Sequence, residues 1–261
     1  MIVNDKDLAI KLTDVKKTFD GKEFVVNGMN LAIPKGSLTA IIGFSGTGKS
    51  VILKHILGLF KPTSGSIQVL GKEVTEMKSS ELTDFRKNFG VLFQSAALFD
   101  DMTVLENVCF PLVEHRKDLK EKEIIEIATT KLKQVGLEEK HFHKLPSQIS
   151  GGMQKRTGLA RALALDPEIL FYDEPTTGLD PILTEMVDDL ILETHHHRKG
   201  ITSVMVSHDL DAAFRIADYV AMLNAGQVLL FGKPDEFFNT NIDLVKKFVA
   251  KEIGRASCRE R

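Results

Sequence analysis

"SLTAIIGFSGTGKSVILKHILGLF" (Ser37–Phe60) decides how the rest of the chain is read. "SLTAIIG" is short, apolar and unbroken, the pattern of a buried strand. "SVILKHILGLF" repeats apolar residues at helical spacing and predicts a helix that ends before Pro62. Between them, "GFSGTGKS" (Gly43–Ser50) fits G-x-x-x-x-G-K-[ST], a loop whose glycines let successive N–H groups turn towards one anion. Gly43, Ser45, Gly46, Thr47 and Gly48 would form the cradle, Lys49 would reach the β- and γ-phosphates, and the Ser50 hydroxyl could ligate Mg²⁺. The helix N-terminus adds partial positive charge at the same point. Strand, loop and helix in this order predict nucleotide binding, where a bare glycine-rich turn would need none of the flanks.

Upstream, "LAIKLTDVKKTF" and "FVVNGMNLAI" alternate apolar and polar positions on either side of Asp20-Gly21, as antiparallel strands joined by a turn do. Downstream, "GSIQVLGKEV" restores strand character. From about Phe93 to Leu163 the apolar residues recur at helical spacing, with Ile124, Ala128, Leu132 and Val135 on one face and Gly136 as a C-cap. "EILFYDE" and "ITSVMVSH" then read as parallel core strands. The expected fold is α/β: a P-loop NTPase core with an antiparallel β subdomain and a mainly helical subdomain, about 95–165, inserted in it. One domain is expected over 1–253. The ending "GRASCRER" (254–261) has no periodicity, follows the amphipathic "DLVKKFVAKEI", and reads as a non-native or disordered tail.

At 261 residues and 43% apolar content the chain can fill a proper core. Its net charge of −2, without a long block of one sign, points to neither nucleic acid nor an anionic membrane as a partner. Two cysteines, Cys109 and Cys258, are too few for a disulfide framework or a zinc cluster, which favours a reducing compartment such as the cytosol. The charged N-terminus lacks an apolar signal region, and no run of about 18 apolar residues occurs, so the chain is expected neither to enter nor to cross a membrane unaided. "HHH" (His195–His197) could bind metal, but without Cys or carboxylate spacing it is expected in a surface loop.

Asp173 and Glu174 end the apolar strand "ILFYDEP", where a carboxylate pair has no packing purpose and repels itself unless a cation or a proton transfer uses it. Strand-end carboxylates are often merely solvated; behind a P-loop, Asp173 would hold the Mg²⁺ through water and Glu174 would orient and deprotonate the attacking water. "QISGGMQKRTGLARAL" (Gln148–Leu163) is a second glycine loop that opens into a helix, again the form of a phosphate cradle. Gln94 and His208 each end a core strand, the edge where ligands of open α/β sheets collect. Taken singly, each is as readily a structural residue.

Glycine loop, Gln94, "ISGGM", "ILFYDEP", "GLD" and His208, in this order and spacing, resemble the nucleotide-binding subunit of ATP-binding cassette (ABC) transporters, over the chain to about Ile253. The resemblance implies that two copies meet head to tail, the signature loop of one closing over the ATP of the other, which accounts for the second cradle. It implies that Ser150, Gly151 and Gly152 contact the γ-phosphate across the dimer and that Asp180 runs beside them. It adds Gln94 to Ser50 and Asp173 as a third residue for Mg²⁺, His208 as a catalytic partner of Glu174, and Phe19, with Val25 nearby, as the platform for adenine. Three positions depart from the family pattern. Phe19 stands where tyrosine is common, Val51 where threonine is common, so that only its N–H can serve the α-phosphate, and Met153 replaces the usual glutamine.

"LFQSAALFDDMTVLENVCFPLVEH" (Leu92–His115), followed by "ISGGM", is similar more narrowly to the ATPase of the Mla-type phospholipid transporters, whose permease partners an MCE-domain protein in the envelope of double-membraned bacteria. That likeness implies an integral membrane permease, MCE-domain and accessory subunits, and a peripheral place on the cytoplasmic face of the inner membrane. Phe99, Met102 and Leu105 would offer the permease an apolar surface, or would pack the helical subdomain. A cassette for another cargo, such as an amino acid or a toluene-like solvent, fits the same residues. A soluble ABC ATPase would be expected to carry tandem cassettes, a long coiled-coil insertion or zinc cysteines, and a P-loop kinase or GTPase has no use for "ISGGM".

Overall fold

A computed structural model describes residues 5–250 apart from Ser45 and Lys199. The expected tail at 254–261 lies outside the described residues. In chain order the elements begin with β1 (Leu8–Thr18), β2 (Phe24–Pro34), β3 (Leu38–Gly43), α1 (Lys49–Ile56), β4 (Ser64–Val69), β5 (Lys72–Glu73), α2 (Ser79–Phe85) and β6 (Phe89–Leu92). They continue with α3 (Val104–His115), α4 (Glu121–Gln134), α5 (Gly151–Leu163), β7 (Ile169–Asp173), α6 (Pro181–His197), β8 (Thr202–Val206), α7 (Leu210–Ile216), β9 (Tyr219–Asn224), β10 (Gln227–Gly232) and α8 (Pro234–Phe238). The chain divides into two compact units, residues up to 82 with those from 204 onward, and residues 83–203.

In the first unit β1 pairs antiparallel with β2 and with β4, and β4 with β5. The alternation of β1 puts Ile10 opposite Ile33 and Val69, and Leu12 opposite Leu31 and Ile67, with all six side chains buried. One face of this sheet is therefore core, and a slip of one residue would expose it. The β3 sequence reads differently: all six of its residues are buried, and it pairs parallel with β9, itself antiparallel to β10. A strand covered on both faces needs no alternation. α1 stops at Ile56, earlier than the apolar run suggests, because Gly58 at φ +65° reverses the chain while its N–H bonds the His55 carbonyl and that of Leu59 bonds Lys54. Apolar spacing alone predicts a helix that runs on towards Phe60, because the spacing persists past the stop.

In the second unit β6 and β7 are parallel neighbours, and α3, α4 and α5 pack on one another. Ile124, Ala128, Leu132 and Val135 are buried as one face, each large side chain contributing about 1.5–3 kcal/mol. Gly136 at φ +75° closes α4, with the Leu137 N–H on the Leu132 carbonyl. α3 starts on a capping box: the Glu106 N–H donates to Thr103 Oγ1 and the Thr103 N–H to the Glu106 carboxylate. This unit begins at 83 and runs to 203, so it also holds β6, β7 and α6. The three histidines correct the expected loop: α6 continues through His197, where partial negative charge at a helix C-terminus suits imidazoles, and His195 Nδ1 lies 3.0 Å from Ser203 Oγ.

Candidate functional site

The glycine loop leaves β3 at Gly43, where a Cβ would sit 2.5 Å from the Leu223 carbonyl oxygen of β9. Only glycine fits that approach. Gly48 is the N-cap of α1 at φ +95°, a conformation that strains any residue with a Cβ, and a Cβ there would lie 3.0 Å from the Val25 carbonyl, which sets Val25 against the loop. Lys49 is buried, and its ammonium donates to the Gly43 and Phe44 carbonyls at 2.8 and 3.0 Å, so the cation lies folded over the loop. Thr47 Oγ1 donates to the Phe44 carbonyl at 2.8 Å. No side chain caps α1 and no acidic residue stands in its first turn, which leaves the helix end to an anion. Gly46 and Ser50 are exposed and Val51 half-buried, while Ser45 lies outside the described residues.

Phe19, 61% exposed at the end of β1, meets Phe60 edge-on at 5.8 Å and lies 5.1 Å from the Lys17 ammonium, so an open aromatic face is held by two neighbours. His208 is exposed just beyond β8, ahead of Asp209, whose carboxylate caps α7 by accepting from the Ala212 N–H. Sequence reasoning missed Phe44, whose ring contacts Phe248 of the helical stretch 243–250 at 4.6 Å.

In the second unit Asp173 ends β7 half-buried, and Glu174 follows at φ +47°. A non-glycine residue in that conformation costs of order 1–3 kcal/mol, and such strain gathers at functional sites. Thr177 secures it twice, through Oγ1 to the Glu174 carboxylate at 3.1 Å and through its N–H to the Glu174 carbonyl. Gln94 lies two residues past β6 with its side chain exposed. Ser150 caps α5 by accepting from the Met153 N–H, and Asp180 caps α6 by accepting from the Leu183 N–H at 3.0 Å. Neither Gly151 nor Gly152 has a positive φ, a Cβ on Gly151 would meet nothing within 4 Å, and one on Gly152 would only touch Leu183 at 3.4 Å. These glycines weaken their helix, by up to about 1 kcal/mol each, with no packing reason inside the unit.

A groove of about 350 Å³ opens beside α5, walled by Phe93, Phe99, Phe110, Pro111 and Arg161 among others. Phe99 and Phe110 lie 4.7 Å apart and the Arg161 guanidinium stands 5.8 Å from the Phe99 ring. Of the three residues expected to offer an apolar surface, Phe99 lines this groove, and Met102 and Leu105 are not among its walls. Buried Asn107 holds the preceding loop, accepting from the Phe99 N–H and donating to the Phe99, Met102 and Thr103 carbonyls.

The sequence profile of the family described as "ABC transporter" matches residues 26–177, from β2 past the Glu174 turn. The chain belongs to that family. Its cassette is 41% identical over 250 residues to the probable ribonucleotide transport ATP-binding protein mkl of Mycobacterium leprae, covering 95% of this chain and 70% of that one. It is 38% identical over 232 residues to the intermembrane phospholipid transport system ATP-binding protein MlaF of Haemophilus influenzae, covering 89% and 87%. Among solved structures it matches a dimeric ATP-binding cassette in a post-hydrolysis state bound to ADP and Pi, with a TM-score of 0.77 and 35% identity over 86% of this chain and 98% of that one. The chain is an ATP-hydrolysing cassette with the ABC ATPase fold.

Within this cassette, two basic residues of α5 escaped the sequence reading. Lys155 donates to the Gln94 carbonyl and, at 2.6 Å, to that of Pro175. Arg161 donates to the Ala96 and Ala97 carbonyls at 2.7 and 2.8 Å, holding two alanines at positive φ. Burial pushes the Lys155 ammonium below the usual lysine range.

Proposed function

We propose that two copies of the chain clasp two Mg-ATP between them, hydrolyse them, and so drive phospholipid movement through a membrane permease. The observation that carries the two-copy reading is the glycine pair of α5. Gly151 and Gly152 cost helix stability and serve no neighbour in their own unit, as expected of backbone kept bare for a phosphate that arrives from outside. The solved relative bound to ADP and Pi is itself dimeric.

In this reading Lys49 and the first N–H groups of α1 hold the phosphates, Phe19 and Val25 bound the adenine, and Glu174 orients and deprotonates the attacking water with His208 as its partner. Asp180 lies along the junction beside the partner's nucleotide. Ser50, Gln94 and Asp173 fit Mg²⁺: hydroxyl, amide and carboxylate are hard oxygen donors. No group of three or more His, Cys, Asp and Glu that could hold a metal occurs among the described residues, which suits an ion held by few protein ligands together with substrate phosphates. When bound, Mg²⁺ offsets charge developing on the transferred phosphoryl group.

No helix of the described residues is long and apolar enough to cross a membrane, so a permease would supply the path, docked at the groove of Phe99 and Phe110. Phospholipid is the cargo the MlaF likeness supports. MCE-domain and accessory subunits and a place on the cytoplasmic face of the inner membrane complete the proposal. The mkl relative is named for ribonucleotide transport, a different cargo, and cargo itself would touch the permease. Purifying Glu174→Gln with ATP from native membranes tests the whole reading. Turnover should fall by roughly 10²- to 10⁴-fold with ATP still bound, and the co-purified permease should carry phospholipid. Normal turnover would remove Glu174 as the base, and a lipid-free permease loaded with another solute would reassign the cargo.

A further inference from the structure

α5 does more than present its glycines. Along one face, at a spacing of about three residues, it grips the main chain that follows β6: Lys155 donates to the Gln94 carbonyl, Gly158 lets Leu92 and Ala96 approach to where its Cβ would stand at 3.0 and 3.1 Å, and Arg161 donates to the Ala96 and Ala97 carbonyls. The same Lys155 ammonium donates to the Pro175 carbonyl, one residue beyond Glu174. A single buried cation thus joins the loop of Gln94 to the turn of Glu174, residues otherwise far apart in sequence.

The chemistry of this contact is unusual in its cost. Lys155 has main-chain carbonyls as partners where a buried cation is ordinarily matched by a carboxylate, and dipoles offset its desolvation less fully than a counter-charge would. A methionine would fill the same space without that penalty. What the ammonium supplies and methionine cannot is a simultaneous hold on two carbonyls. The Pro175 carbonyl is the more telling one, because Glu174 sits in a strained left-handed conformation that persists only where its surroundings fix it. Thr177 fixes the near side of that residue and Lys155 fixes the far side.

We propose that Lys155 is a positioning residue for hydrolysis: by pinning the Gln94 and Pro175 carbonyls together it sets the Glu174 carboxylate in its working geometry and ties it to the loop that leads into the Phe99 groove. The inference rests on the reading of Glu174 as the base. Its mark is a split between rate and binding: in the same reading the phosphates are held by Lys49 and the first N–H groups of α1, whereas Lys155 acts on the main chain of Gln94 and Pro175.

The test compares Lys155→Met and Lys155→Arg in the full chain, with ATPase kinetics, Mg-ATP affinity by fluorescent-analogue displacement, and thermal melting. Lys155→Met should lower kcat at least about tenfold and leave KM and Mg-ATP affinity within about threefold. Lys155→Arg, which can still donate to both carbonyls, should recover most of the loss. The proposal is overturned if the methionine variant keeps kcat within about twofold, if kcat, affinity and melting all fall together, or if arginine is no better than methionine. Should the methionine variant fold poorly, Lys155→Gln is judged by the same split. Glu174→Gln run in parallel separates the two ideas: normal turnover there dismisses the base itself, whatever Lys155 does.

Discussion

Cys109 on α3 is half-buried, and burial, with the Glu106 carboxylate adding to it, pushes its thiol up to about 11. The thiolate is the reactive form, so at pH 8 the folded chain should react with iodoacetamide at Cys109 about 10²-fold more slowly than the urea-unfolded chain. In the folded chain the rate should keep rising about tenfold per pH unit until pH nears 11, whereas in the unfolded chain it should level off near pH 9. Peptide-resolved mass spectrometry separates this site from Cys258, and equal rates in the two states would contradict the buried placement. Residues proposed to act within a contiguous motif can be picked out from sequence alone: "GFSGTGKS" singles out Lys49 and Ser50, and "ILFYDEP" its carboxylates. Lys155 and Arg161 cannot. Their partners are main-chain carbonyls, which have no sequence identity, and Gln94 lies 61 residues away from Lys155.

At the scale of elements, local chemistry decided what could be foreseen. The alternation of β1 and β2, the continuous apolar run of β3 and the face of α4 each match what their burial requires. Helix ends were harder: α1 stops at a glycine turn inside an apolar run, and α6 takes in three histidines of modest helix propensity because tertiary context outweighs it. α5 allows the sharpest prediction. Gly151→Ala adds a methyl group into open space and improves helix propensity, so the melting temperature should hold or rise, by up to about 1 kcal/mol of stability. If the glycine is kept bare for a partner's phosphate, ATPase turnover should nevertheless drop by about tenfold or more. Unchanged turnover in a well-folded Gly151→Ala chain would deprive the second cradle of its purpose.

At the scale of the molecule, the residues assigned to one reaction divide between the two compact units. Lys49, Ser50 and His208 belong to the unit that holds the glycine loop, whereas Gln94, Asp173, Glu174 and the signature glycines belong to residues 83–203. Strand-rich sequence on both sides of a helical stretch marks an insertion at about 95–165, whereas the second unit spans 83–203; periodicity carries no signal for such boundaries. The central claim is that no single copy owns a complete centre. Specific ATPase activity over a dilution series of the purified 29.0 kDa chain, with mass measured at each point, tests it directly. Activity per chain should fall as the dimer fraction falls; full activity per chain in samples that are monomeric throughout turnover would contradict the account.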